Sequence, residues 1–170
     1  YFNRNITNIE RISWRLKKIE IYTDKNKNEK ILNFENSNNQ IFSILKNNQL
    51  YEVLNKNLYK NKYFKKIISK KKIITLEKYN LIVNTELNNA FTKKYFSKKI
   101  EKTYNSSAYT TVINHENISN ETAVQIFTKI GPLAFLPLSK NKTSIVYSIY
   151  NLKDVNREKI IKLIGKHNLK

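Results

Sequence analysis

The sequence predicts an α+β fold, a mixed or antiparallel sheet with flanking helices. Three observations lead there. The 170 residues, 40% of them apolar, suit a single domain with a core of its own. Period-two alternation of apolar and polar residues, which marks half-buried strands, recurs in the first 46 residues and again in residues 104–150. Between and after these stretches the apolar residues move to helical spacing.

Taken in order, Ile12, Trp14 and Leu16 alternate, a Lys17-Lys18 pair interrupts, and Ile19 and Ile21 resume, so a strand with a break at the lysines is expected over 12–22. Polar turns at 24–28 and 36–39 then separate strands at 30–34 and 40–45, giving an antiparallel meander over residues 1–46. From Asn47 the period changes. Leu50, Val53, Leu54 and Leu58 form one stripe on a helix that ends near Lys60 and covers a sheet edge. Short β-branched runs follow at 66–69 and 72–76, and Leu81-Ile82-Val83 at the centre of 80–84 reads as a strand buried on both faces. A helix is expected over 88–96. Residues 104–116 suit a long strand with a Thr-rich face, and 123–128, 131–138 and 143–150 complete a second antiparallel group. Asp154 caps a final helix with Val155, Ile160, Ile161 and Ile164 on one side and Gly165 weakening its last turn.

The formal net charge of +19 would ordinarily indicate an anionic partner. Yet among 32 basic residues only Arg4, Arg11, Arg15 and Arg157 carry the guanidinium fork that base and phosphate recognition favours. Lysine, asparagine and isoleucine are enriched throughout, which reads as a bias of the whole chain and a solvated lysine coat, with no specific nucleic acid as partner. No apolar run approaches the roughly 20 residues of a membrane-spanning helix. The chain opens without a signal-peptide pattern and contains no methionine, so it reads as an internal fragment of a longer protein. The absence of cysteine excludes disulfides, thiolate catalysis and zinc–thiolate clusters and fits a cytoplasmic setting.

Several chemistries are also excluded. With only Gly131 and Gly165, no glycine-rich phosphate loop can form. Two histidines, His115 and His167, are too few for a multi-histidine metal site, and no serine sits in a nucleophile elbow. His115-Glu116 reads as a solvated strand terminus in preference to an acid–base pair. No catalytic group stands out. What does stand out is 131–138, where both prolines and one of the two glycines gather. If this segment is extended, Leu133, Phe135 and Pro137 point to one face and Ala134, Leu136 and Leu138 to the other, so both faces are apolar. One face meets the core; the other meets a second protein layer or an apolar ligand, and core packing is the commoner outcome. Pro132 and Pro137, which cannot donate in a ladder, mark where strand pairing starts and stops.

A run of segments carries a resemblance: 104–116 (Tyr-Asn-Ser-Ser-Ala-Tyr-Thr-Thr-Val-Ile-Asn-His-Glu), 123–128 (Ala-Val-Gln-Ile-Phe-Thr), 131–138 (Gly-Pro-Leu-Ala-Phe-Leu-Pro-Leu) and 144–148 (Ser-Ile-Val-Tyr-Ser). In order and spacing they resemble the substrate domain of the ubiquinone-biosynthesis hydroxylases, FAD-dependent aromatic-ring monooxygenases with the p-hydroxybenzoate hydroxylase fold. The resemblance implies that the chain belongs to a larger two-domain α/β FAD-binding fold. It implies partial FAD-domain elements over 47–103, a substrate-domain sheet over 104–153 and a C-terminal helix over 154–170. It further implies FAD and NAD(P)H as cofactors and a polyprenylated phenol as substrate. Other ubiquinone-biosynthesis proteins are implied as partners, with peripheral contact on the inner membrane. Tyr109, Thr111, Gly131, Pro132, Phe135, Pro137 and Tyr147 are the implied substrate-binding residues, and Asn47 and Asn48, beside Gln49, the implied cofactor contacts. The family's Gly-Ala-Asp-Gly-x-x-Ser motif is replaced at 84–90 by Asn-Thr-Glu-Leu-Asn-Asn-Ala. That departure leaves a second expectation open, a binding or accessory protein of the same fold without the chemistry.

Overall fold

Lys17 lies between two strands and ends the first before the second begins. In the structure, a computed structural model describing residues 3, 8–25, 29–36, 39–67, 79–96, 100–150 and 156–167, a 3-10 turn at Glu10–Ile12 leads into β1 (Ser13–Leu16). Strand β2 (Lys18–Thr23) resumes after the break, where the amides of Lys17 and Lys18 both donate to the Glu121 carbonyl, at 3.0 and 3.3 Å. The returning chain bends at the same level: β3 (Glu29–Glu35) pairs with β2, and β4 (Phe42–Leu45) pairs with β1. The expected three-stranded meander is therefore one long hairpin bent in the middle. The break at the lysines lets its two halves belong to different sheets.

Helix α1 (Asn47–Lys60) occupies the expected span, but none of its residues is buried and Leu58 is largely exposed, so its stripe does not seal a sheet edge. The chain divides into two compact units, Tyr1–Lys62 with Asn105–Lys170, and Tyr63–Tyr104. In the second unit, α2 (Ala90–Tyr95) is capped by Asn89, whose side chain accepts from the Thr92 amide at 2.9 Å. The strand expected at 80–84 does not form: Leu81 and Val83 are 80% and 78% exposed. An apolar triplet becomes a two-sided strand only when a neighbour takes up its backbone groups, and among the described residues none pairs with it. Ile67 is outside any strand, while residues 68, 69 and 72–76 of the expected β-branched runs lie outside the described residues.

The first unit is organised by β5 (Ser106–Asn114), β6 (Thr122–Thr128), β7 (Gly131–Ser139) and β8 (Lys142–Tyr150). The six-stranded sheet runs β3-β2-β6-β7-β8-β5, with every pair antiparallel except β2 and β6. Strand β7 pairs with β6 from Gly131 to Phe135 and with β8 from Leu133 to Ser139, with an irregularity after Pro137. Pro132 thus precedes the β8 ladder and Pro137 lies beyond the β6 ladder, which is how two residues without N–H groups are accommodated in a central strand. Gly131 sits at φ +140°, and a Cβ there would stand 1.9 Å from the Ser148 carbonyl oxygen. Only glycine fits this close approach.

Partners across the ladders share a face, so Leu133, Phe135 and Pro137 lie with Ile145, Tyr147, Thr143, Val124 and Ile126. Helix α3 (Arg157–His167) packs Ile160, Leu163 and Ile164 against Leu133, Ile145, Tyr147 and Ile149 on this face. Each such buried aliphatic side chain contributes about 1.5–3 kcal/mol. Ile161, expected on the packed side, is exposed. Asp154 and Val155 lie outside the described residues; Asn156 caps α3, accepting from the Lys159 amide at 2.9 Å. The opposite sheet face, with Pro132, Ala134, Leu136 and Val146, is half-buried.

Candidate functional site

Against the covered sheet face lies a cavity of about 580 Å³, within the range of small-molecule sites. Its apolar lining comes from Ile113 at the end of β5, Ile118 in the β5–β6 connection, Val124 and Ile126 on β6, and Phe135 and Pro137 on β7. Polar groups converge on it from three directions: Glu20, Tyr22 and Thr122 from the strands, His115, Glu116 and Asn120 with Thr143 from the connection and β8, and His167 from the last turn of α3. Both histidines of the chain face this space.

Asn120, 1% exposed, ties the connection to the β7–β8 hairpin. Its Nδ2 donates to the carbonyls of Ser139 (2.8 Å) and Lys142 (3.2 Å) and to Thr143 Oγ1 (3.0 Å). His115 Nδ1 lies 2.8 Å from the Glu116 carbonyl and Nε2 lies 3.0 Å from Thr143 Oγ1. A carbonyl only accepts, so in the neutral ring the proton sits on Nδ1 and Nε2 accepts from the Thr143 hydroxyl. His115 is therefore a half-buried member of a network, and the reading of it as a solvated terminus is corrected. Residues 115–120 fold back onto the hairpin, and the Ile118 amide donates to the Lys140 carbonyl at 3.0 Å.

Glu20 receives Lys30 Nζ (2.6 Å), Lys18 Nζ (3.0 Å) and the Tyr22 hydroxyl (2.9 Å). Burial pushes its carboxyl upward, but the hydrogen bonds from Lys30, Lys18 and Tyr22 outweigh it and hold the pKa at about 2. The same carboxylate raises the ammonium groups of Lys18 and Lys30. Its charge is thus already matched. His167 differs: it is 6% exposed and its ring makes no hydrogen bond among the described residues. Burial depresses its pKa, Asp24 opposes this in part, and Lys166 adds to it, so the ring is uncharged near neutrality.

The residues implied by the resemblance separate into groups. Phe135 and Pro137 line the cavity. Tyr109, Thr111, Gly131 and Tyr147 share the sheet face but lie elsewhere on it. Tyr147 is fully buried with its hydroxyl 3.0 Å from Thr128 Oγ1 and its pKa raised by burial, Tyr109 packs at the edge of the core, and Thr111 is exposed. Pro132 lies on the opposite face, paired with Phe127, while Asn47 and Asn48 are exposed in the first turn of α1. Sequence reasoning missed Glu20, Asn120, Thr143 and His167. For His167 a signal existed, because it continues the helical spacing of Ile160, Leu163 and Ile164.

The described residues do not fit a dinucleotide cofactor. The space a missing Cβ opens at Gly131 is filled by the chain's own Ser148 backbone, and Gly165 has nothing within 4 Å of the corresponding position. At 84–92 the polar side chains satisfy one another: Asn84 Nδ2 donates to Thr92 Oγ1 (2.7 Å), Asn89 Nδ2 to Asn84 Oδ1 (2.6 Å), and Thr92 Oγ1 to the Glu86 carbonyl (2.5 Å). No cluster of metal-ligating side chains occurs among the described residues, and no helix among them is long and apolar enough to cross a membrane. Compared with protein-family models and with curated proteins, the sequence matches none.

Proposed function

We propose that this chain is the substrate-holding part of an FAD-dependent aromatic-ring monooxygenase that hydroxylates a polyprenylated phenol in ubiquinone biosynthesis. The observation that carries the reading is the position of Phe135 and Pro137. The segment that is most distinctive in the sequence forms the central strand β7, and these two side chains line a mostly apolar cavity. An aromatic ring bearing an alkyl chain matches that lining, and the polar groups that line the same space can meet a ring substituent. In this reading the oxidising chemistry would come from FAD reduced by NAD(P)H, a group that the described residues do not themselves fit. The chain's own contribution is to orient the ring and keep water from it. Expression of the complete reading frame tests this: flavin absorbance, NAD(P)H oxidation stimulated by an alkylphenol, and rescue of a quinone-deficient host are expected. Absence of all three overturns it.

One observation favours a second reading, a binding protein of the same fold without the chemistry. The hydrogen bonds among Asn84, Asn89 and Thr92 turn the place of a cofactor motif into a helix cap. Flavin titration of the complete protein separates the two, since this alternative predicts no saturable flavin binding.

A further inference from the structure

We propose that His167 is the hydrogen-bond acceptor for the hydroxyl of a neutral phenol seated in the cavity. The inference rests on the reading of the cavity as a ring-substrate site and names the group that recognises the substrate's polar end.

The other buried polar side chains that line the cavity are engaged. Asn120 donates to two carbonyls and to Thr143, and Thr143 meets His115. Among the carboxylates, Glu20 is matched by two lysines and a tyrosine. The imidazole of His167 is more than nine-tenths buried, faces the same space, and has no partner among the described residues. Its ring nitrogens are not among the buried unsatisfied atoms and so are open to the cavity, where a ligand hydrogen bond replaces one to water with a modest net gain in affinity.

Charge defines the ligand class. Among the described residues no lysine or arginine lines the cavity, while Glu20 and Glu116 do. A carboxylate or phosphate ligand would enter a low-dielectric space with no cation among these lining residues to meet it. The lining from Ile113, Val124, Ile126, Phe135 and Pro137 asks instead for an apolar body. A neutral imidazole has one ring nitrogen with a bare lone pair, and His167 faces the cavity. A phenolic O–H is a strong neutral donor for that lone pair, whereas an ether cannot donate.

The chain carries its own reporter. Trp14 is the sole tryptophan, and its indole Nε1 donates to the carbonyl of Asn120, a residue that lines the cavity. The experiment is a titration of the 170-residue chain, at a pH above the ordinary histidine range, with 4-heptylphenol and with its methyl ether, 4-heptylanisole, followed by Trp14 emission. The wild-type chain is expected to bind the phenol about tenfold more tightly than the ether. His167→Phe should bring the two affinities to within about twofold, and His167→Gln, which retains an acceptor, should keep an intermediate preference. Far-UV circular dichroism establishes that each variant is folded. Should both variants unfold, the wild-type chain labelled in its histidine ring nitrogens decides, since the phenol but not the ether should shift the acceptor nitrogen of His167.

Equal affinity of the wild-type chain for phenol and ether overturns the inference, as does an undiminished preference in folded His167→Phe. Those outcomes leave the hydroxylase reading standing, because its tests are flavin content and turnover of the complete protein. Conversely, a His167-dependent phenol preference alongside absence of flavin, NAD(P)H oxidation and rescue in the complete protein supports the inference and removes the hydroxylase. Failure of both compounds to bind at all rejects the cavity as a site and overturns the inference, while the hydroxylase reading is still decided by flavin content and turnover of the complete protein.

Discussion

Trp14 donates its indole N–H to the carbonyl of Asn120 across 2.6 Å, joining β1 to the connection that closes one end of the cavity. The amide of Asn120 then holds the carbonyls of Ser139 and Lys142, so one buried side chain fixes the connection against the β7–β8 turn. Replacing it by alanine leaves those acceptors and Thr143 Oγ1 without their donor. Asn120→Ala is expected to lower unfolding stability by about 2–3 kcal/mol in urea titration. It should also shift Trp14 emission to the red as the indole gains solvent. An unchanged midpoint would show that the connection is held by its backbone hydrogen bonds alone.

Gly131 is the second rigid point. A Cβ would stand 1.9 Å from the Ser148 carbonyl oxygen, and backbone atoms at the centre of a ladder cannot step aside as a flexible side chain can. Gly131→Ala should therefore cost about 3 kcal/mol or more. For a chain of this length that is a fall in melting temperature on the order of 10 °C by differential scanning calorimetry. Gly165→Ala is the internal contrast. It has open space around it within α3, and the alanine should leave stability unchanged or raise it by up to about 1 kcal/mol.

How far the sequence discloses this molecule depends on the range of each interaction. The spans of α1 and of β6, β7 and β8 follow from local period, turn chemistry and the positions of two prolines, all within a few residues. The parallel pairing of β2 with β6 joins residues about a hundred apart with no turn to announce it, and so the N-terminal hairpin and the later strands read as separate groups. Leu81, Ile82 and Val83 show the converse failure. Their composition is that of a buried strand, but burial depends on neighbours that no local pattern specifies. Asn120 carries no local signal because the two carbonyls and the hydroxyl its amide holds lie 19 or more residues away, whereas His167 stands in a legible helical stripe.

Glu20 makes the acid limb of stability. Its folded pKa of about 2 lies below the ordinary 4.5, so between the two the unfolded chain binds more protons than the folded one. The stabilisation it brings is present in full above 4.5 and is lost as pH falls toward 2. Glu20→Gln should flatten the dependence of the urea midpoint on pH across that window, while costing about 1–2 kcal/mol near neutrality through the lost charge-assisted bonds to Lys18 and Lys30. Equal slopes for wild type and variant would show that other carboxylates set the acid limb.

His167 contributes with its own window. Burial lowers its folded pKa below the ordinary 6.5, so the unfolded state takes up the proton first as pH falls. Stability from the neutral ring is complete above 6.5 and declines as the pH drops from there through the folded pKa. The groups that bear on the ring are Asp24 at the end of β2 and Lys166 on α3, and those that share its cavity are Glu20, Tyr22, His115 and Glu116. Glu20 titrates well below this window and Tyr22, its pKa raised by burial and by Glu20, titrates above it. Two-dimensional NMR of the ring protons, with His115→Asn to assign the two histidines, should show His167 titrating below 6.5. The preference of the cavity for phenol over ether should decline over the same pH range, because a protonated ring has no lone pair to offer. In His167→Phe the small remaining difference between phenol and ether should not vary with pH. If the wild-type preference persists unchanged after His167 is protonated, the acceptor of the phenol lies elsewhere in the cavity.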